Sequence, residues 1–260
     1  GVASGMFMSF AVFLKPLVNE FGWSRSITSM AYAINMIAMG IFSVLLGAVA
    51  DRYGPRKIIF LGGIVFGISL MLTSLTTTVW ELYLYYGIIM ALGSSSSQVP
   101  LAKTIAMWFE KKMGLATGIS MAGYGFGPLI FAPLATYIMT AYSWQLAFII
   151  IGAIGLLTIV PVSLLIRSDP AEMGLMPYGH IPPSSNTNPG PASLTGADKR
   201  VKSSSRAEYS TRELLTNRPL LTLMLVHFLG CVSHSIPLLH VVALATDAGL
   251  AKMVAAPILG

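Results

Sequence analysis

Long apolar runs alternate with short polar links along most of this chain. Seven runs can be drawn, over approximately 1–18, 27–50, 58–79, 82–106, 115–140, 145–166 and 219–243, and an eighth begins near Lys252. Runs of this kind match the ~20 residues a helix needs to cross a hydrocarbon core. Backbone polar groups in lipid have to be satisfied within their own segment, so each run is predicted to be a helix. Between the sixth and seventh runs the pattern changes. The stretch "HIPPSSNTNPGPASLTGADKRVKSSSR" is rich in proline, serine, glycine and asparagine, has little to bury, and is expected to be largely disordered. After it, Ser210 and Glu213 have capping-box spacing, and Pro219 suits the first turn of the next helix.

Composition agrees with that pattern. Of 260 residues, 55% are hydrophobic and 10% charged, with a mean hydropathy of +0.74. Soluble domains carry roughly 25% charged residues, so this chain has too few charges to cover a water-facing surface. The formal net charge of +6 forms no basic stripe, which argues against nucleic acid as a partner. The basic residues sit instead in the links. Those after runs two, four and six hold Arg52, Arg56, Lys57, Lys111, Lys112, Arg167, Lys199, Arg200, Lys202, Arg206, Arg212 and Arg218; the other links hold only Arg25 and Lys252. Lysine and arginine mark the cytoplasmic side, so the first group and the N-terminus are expected on the cytoplasmic side of the cell membrane.

The expected fold is therefore an all-α multi-pass membrane protein. Residues 1–166 form an N-terminal six-helix bundle, 167–218 a cytoplasmic linker, and 219–260 the first helices of a second, incomplete bundle. The chain begins at Gly1 and ends at Gly260 inside apolar segments, and reads as a fragment cut at both ends. The single cysteine, Cys231, excludes an intrachain disulfide and makes a cysteine metal cluster unexpected. Neither a catalytic constellation nor a nucleotide-binding loop is visible, so no enzyme activity, cofactor or ATP drive is expected.

One link concentrates charge unusually. In "GAVADRYGPRK", Asp51, Arg52, Arg56 and Lys57 fall within seven residues. A positive-inside anchor turned by Gly54 and Pro55 accounts for the basic residues, but not for Asp51. Nor does it account for Gly47, whose missing side chain permits a neighbouring helix to approach. This stretch resembles the signature between helices two and three of the major facilitator superfamily. Gly47, Asp51, Arg52, Gly54, Arg56 and Lys57 occupy its positions, with Pro55 where a basic residue is common. The resemblance implies a conformational latch in which the acid and its arginine join helices at the cytoplasmic face in one state only.

A second stretch is more discriminating. "WFEKKMGLATGISMAG" resembles the start of helix five in the monocarboxylate transporter family, keeping the spacing of Trp108, Phe109, Lys111, Lys112, Gly118 and Gly123. "VFLKPLVNEFGWSRS", "SWQLAF", "DPAEMGLMPYG" and "HVVALATDAGL" also look like bacterial relatives of that family, among them the oxalate:formate antiporter. The animal carriers bear an intramembrane lysine in helix one; Met8 stands near its place, and Lys15 falls about two turns later. The resemblance implies a carrier of small organic anions coupled to protons or to a counter-anion, with its main anion ligands beyond Gly260.

Candidate site residues follow, each with an ordinary alternative. Such carriers bind substrate near the bilayer midplane, where the fourth run holds Ser94, Ser95, Ser96, Ser97 and Gln98, with Pro100 free to kink it. Serines can instead bond their own backbone carbonyls and let helices pack closely. Lys103 either snorkels to the headgroups or attracts anions from the cavity wall; Lys15 is expected to snorkel, or to attract anions at the external mouth. Tyr124 and Asn35 are further polar residues at membrane depth, with helix packing the default for Asn35. His227 and His234 share a face with Cys231, and either carry a proton or bond across a helix interface. No metal site is expected, because the pair lacks a third hard ligand. Gly123, Gly127 and Pro128 read first as a packing and bending element.

The expected function is secondary active transport of small organic anions across a lipid bilayer by alternating access, through proton symport or anion exchange. A drug or metabolite exporter of the same fold, and a membrane sensor that binds such anions without transporting them, are the alternatives. The sequence carries no reading of the oligomeric state.

Overall fold

Caps and punctuating residues cut the apolar runs into helices. The computed structural model describes residues 2–167, 170–179 and 216–259, apart from the side chains of 171, 172, 234, 236 and 259. The capping box expected at Ser210–Glu213 lies outside the described residues, as does most of the linker. Gly1–His180 and Pro237–Gly260 form one compact unit, and Ile181–Ile236 a second.

In the first unit α1 spans Val2–Phe21, with a turn at Ser9, and Gly22 ends it in the left-handed region at φ 67°. The Ser24 side chain accepts from the Ile27 N–H at 3.2 Å and starts α2, Arg25–Tyr53. Gly54, at φ 85°, makes the turn, and Pro55 opens α3, Pro55–Thr73, where no amide hydrogen is needed. α4 consists of Val79–Leu82, a π-helical stretch Tyr83–Ile89, and Met90–Trp108. α5 is Met113–Ala141 and α6 Trp144–Leu165, the latter capped by Ser143. After the link comes α7, Arg218–Asp247, then a short α8, Lys252–Ala255. Six of these helices (α1, α2, α3, α5, α6 and α7) are long and apolar enough to cross a membrane; α4, with its serine run, is more polar.

Three boundaries differ from expectation. α2 runs on through Tyr53, so Asp51 and Arg52 stand on a helix and not in a link. The third helix stops at Thr73, well before 79, and α4 starts at Val79. The reason is a complete capping box: Thr78 Oγ1 accepts from the Glu81 N–H, and the Glu81 carboxylate accepts from the Thr78 N–H at 3.0 Å.

Aromatic side chains on one face of α1 seat it among its neighbours. Phe7 stacks on Tyr32 of α2, Phe10 on Tyr86 of α4 and Phe13 on Phe148 of α6, with ring centroids 4.8, 4.2 and 4.0 Å apart. Elsewhere glycine lets backbones touch. A Cβ on Gly93 would stand 2.6 Å from the Phe66 nitrogen, and one on Gly5 would stand 2.4 Å from the Gly127 carbonyl carbon. Substitution there would force α3 from α4, or α1 from α5. Toward the outside, α2 presents Ile37, Ile41, Val44 and Leu45. This inverts a water-soluble fold and suits a lipid surround.

In the second unit the described part is the first portion of α7, whose Leu223, Val226 and Phe228 are exposed.

Candidate functional site

Two contacts, one helical turn apart, join α2 to α4. A Cβ on Gly47 would come within 3.3 Å of Val99 Cγ1, so the glycine lets the helices approach there. Four residues further along each helix, the Lys103 ammonium donates to the Asp51 carboxylate. Equal steps on two helices place the ion pair directly beyond the close approach. The resemblance implied an arginine as partner of the acid. Among the described residues the partner is Lys103, while the Arg52 guanidinium lies 5.5 Å over the Tyr53 ring. In this structure Lys103 is a partner of Asp51. The Asp51 side chain is 66% exposed and that of Lys103 38%, and exposed pairs contribute little to stability. Such a pair is cheap to break. Arg56 and Lys57 occupy the first turn of α3, beyond Gly54.

The serine run of α4 divides in two. Ser94, Ser95 and Ser96 are buried. Ser94 donates to the Ala91 carbonyl at 3.1 Å; Ser95 to those of Ala91 and Met39, at 2.6 and 3.1 Å; Ser96 to that of Gly93 at 2.6 Å. In this structure these three serve packing, buried and with their hydroxyls donating to backbone carbonyls. Ser97 is half-buried and lines a small, mainly apolar cavity of about 250 Å³. Gln98 is exposed, and its Nε2 donates to the hydroxyl of half-buried Tyr124 on α5. That amide–phenol pair is the polar bridge the structure does bring together from the sequence candidates.

Asn35 takes a packing position, the default expected of it. It is fully buried, and its Nδ2 donates to the Tyr86 carbonyl at 2.6 Å. The need for this bond is local. The Met90 N–H reaches back five residues to Tyr85, and where such pairing reverts to four-residue spacing one carbonyl is skipped. The next carbonyl, that of Tyr86, is the one Asn35 fills. The Tyr86 hydroxyl in turn donates to the Phe7 carbonyl at 3.0 Å, beside the turn at Ser9. Sequence reading missed Tyr86 as the link between α1, α2 and α4; its position in "YLYYG", opposite Asn35, was the available signal.

Two of the quoted motifs meet. The segment after α6 runs back to the start of α5, where the Tyr178 N–H donates to the Trp108 carbonyl at 2.8 Å, and the Glu110 and Lys111 amides donate to the Tyr178 carbonyl at 3.2 and 3.1 Å. Trp108 Nε1 also donates to the Arg167 carbonyl at 3.0 Å. Lys112 then enters α5 from a positive φ of 61°. Lys111 and Lys112 are exposed, Gly118 faces open space, Gly123 is half-buried, and Gly127 and Pro128 are buried, the first of them against Gly5. In the second unit exposed His227 has its Nε2 3.5 Å from Cys231 Sγ; the side chain of His234 lies outside the described residues. Among the described residues no three metal-ligating side chains gather.

These features define a multi-pass helical membrane bundle with an exposed ion pair at one end and a polar bridge between α4 and α5. Residues 1–260 match the family described as Major Facilitator Superfamily, and the chain belongs to it. Among known proteins it is similar to monocarboxylate transporter 13 of Rattus norvegicus, 27% identical over 152 residues, covering 58% of this chain and 36% of the relative. Monocarboxylate transporter 1 of Bos taurus is 31% identical over 146 residues, 56% of this chain and 29% of the relative. An MFS-type transporter 1 of Ophiocordyceps is 37% identical over 110 residues, 42% of this chain and 24% of the relative. The chain thus spans about a third or less of the curated relatives it matches.

Proposed function

We propose that this chain is part of a secondary active transporter that moves small monocarboxylate- or oxalate-like anions by alternating access. Similarity to several monocarboxylate transporters supports the substrate class. The observation that carries the reading at the level of residues is the Gln98–Tyr124 bridge: an amide and a phenol on adjoining helices, accessible and able to turn from each other toward a carboxylate. The Asp51–Lys103 pair is the latch, made in one state and released to water in the other. The end bearing Asp51 faces the cytoplasm, in keeping with the lysine and arginine bias. His227 and His234 of α7 are the proposed proton carriers.

Uptake of labelled pyruvate, lactate and oxalate by vesicles carrying the intact protein tests this. Saturable uptake of at least one anion, lost in Gln98→Leu with Tyr124→Phe, is expected. Absence of uptake of all three, under a proton gradient and under anion exchange alike, would overturn the substrate class.

A further inference from the structure

Far from Asp51, three charged side chains from α1, α2 and α7 meet within the first unit. Lys15 Nζ lies 2.8 Å from Asp247 Oδ1, and Arg25 Nη2 lies 2.8 Å from Asp247 Oδ2. Lys15 also donates to Thr246 Oγ1 at 3.3 Å. Two cations therefore share one carboxylate. Beside them a cavity of about 320 Å³ opens between α1, α5, α6, α7 and the start of α8, with Lys15 and Lys252 both on its wall. The acidic residue on that wall, Glu20, is already occupied: its Oε2 accepts from Trp144 Nε1 at 2.5 Å and its Oε1 from Gln145 Nε2 at 3.3 Å. Lys252 forms no ion pair with any described residue. Trp144 and Gln145 are neutral donors, so Glu20 keeps its charge; with Lys15, Arg25 and Lys252 against Asp247 and Glu20, the cluster carries one positive charge in excess.

We propose that this cavity is a second carboxylate site, at the mouth of the carrier, taking a small monocarboxylate between Lys252 and Lys15. The inference rests on the organic-anion reading above and concerns a site remote from Gln98 and Tyr124. Asp247 displays the chemistry required, since Lys15 already holds a carboxylate oxygen at 2.8 Å. The volume lies at the small end of the ~300–1,000 Å³ seen for ligand pockets, which suits an anion of a few heavy atoms. Lys252 attracts the anion into the cavity. Lys15 then turns from Asp247 to the newcomer, while Arg25 keeps its own bond to the aspartate, so no charge is left alone. One carboxylate replaces another. Capture and loosening of the α1–α7 contact are the same event.

The test reads binding without needing transport. In the intact protein freed of other cysteines, Asn19→Cys on the cavity wall reports access to a membrane-impermeant thiol reagent. Acetate or pyruvate in the outer solution should slow its labelling saturably, where equimolar chloride does not. Lys252→Gln should raise the protecting concentration on the order of tenfold, as loss of one charge-assisted contact does. Lys252→Arg should restore it, and Asp247→Asn, which frees Lys15, should lower it. Labelling indifferent to the anion, or protection unchanged in Lys252→Gln, would overturn the site. Pyruvate uptake by the same vesicles separates the two ideas: uptake without protection removes the cavity alone, whereas protection without uptake leaves the cavity standing and removes the carrier reading.

Discussion

At the scale of single residues, buried hydroxyls and amides of this chain such as those of Ser95, Ser96, Thr136 and Asn35 donate to its own backbone, while Asn35 Oδ1 and Thr76 Oγ1 are left without a partner among the described residues. Tyr86 is the densest case: its hydroxyl and ring both meet α1, at Phe7 and Phe10, while its carbonyl accepts from Asn35 of α2. Tyr86→Phe keeps the stack on Phe10 but removes the donor to the Phe7 carbonyl. Side-chain hydrogen bonds inside membrane proteins are worth about 0.6–2 kcal/mol, so a lowered unfolding midpoint of the purified protein in detergent is expected. Asn35→Leu should cost a similar amount, and an unchanged midpoint in both variants would dissolve the network. Asp51 and Lys103 make the opposite case, being exposed and cheap to separate. Asp51→Asn should lower kcat while leaving KM nearly unchanged, the mark of an interaction outside the anion-bound ground state. Lys103→Gln should do the same, and the double variant should be no slower than either single one, because both lose one interaction. Additive losses would show that the two residues act separately.

At the scale of helices, most of the fold was legible, because membrane length and apolarity fix where a helix can lie. What escaped was whatever depends on the face a helix turns to its neighbours. Ser94 to Ser97 look equivalent in sequence, yet three are buried by the approach of α3 and α2, and the fourth lies at the edge of an apolar cavity. Gln98 and Tyr124 were named separately, with nothing in their spacing to join α4 to α5. Lys103 could have been matched to Asp51, since Val99 to Lys103 repeats the step from Gly47 to Asp51, but only with the register of α2 against α4 in hand. Thr78 and Glu81 carried an explicit helix-start signal that long apolar runs on both sides obscured. Glycines separate by the same logic. Gly93→Val should fail to assemble α3 against α4, since a Cβ would meet the Phe66 backbone at 2.6 Å and overpacked cores lose about 1–3 kcal/mol or more. Gly118→Ala, with no neighbour within 4 Å of its Cβ, should unfold at the wild-type midpoint. Equal destabilisation by both would mean that the close approaches do not govern assembly.

At the scale of the molecule, two ionic contacts differ in what they join. Asp51 and Lys103 connect α2 to α4, whereas Asp247 carries α7 onto α1 and α2. If the carrier works by alternating access between the proposed halves, the second contact has to part in each cycle, because those halves divide α7 from α1 and α2. A covalent tie there should arrest the cycle. In the intact protein freed of other cysteines, Arg25→Cys with Asp247→Cys joined by a short bifunctional thiol reagent should lose anion uptake. Each single variant, treated alike, should keep the rate it had before treatment. A reductively cleavable spacer should return the activity on reduction, which excludes damage as the cause. Full uptake by the tied protein would mean that this end never opens, and the path of the anion would then have to avoid the cavity beside Lys15 and Lys252 altogether.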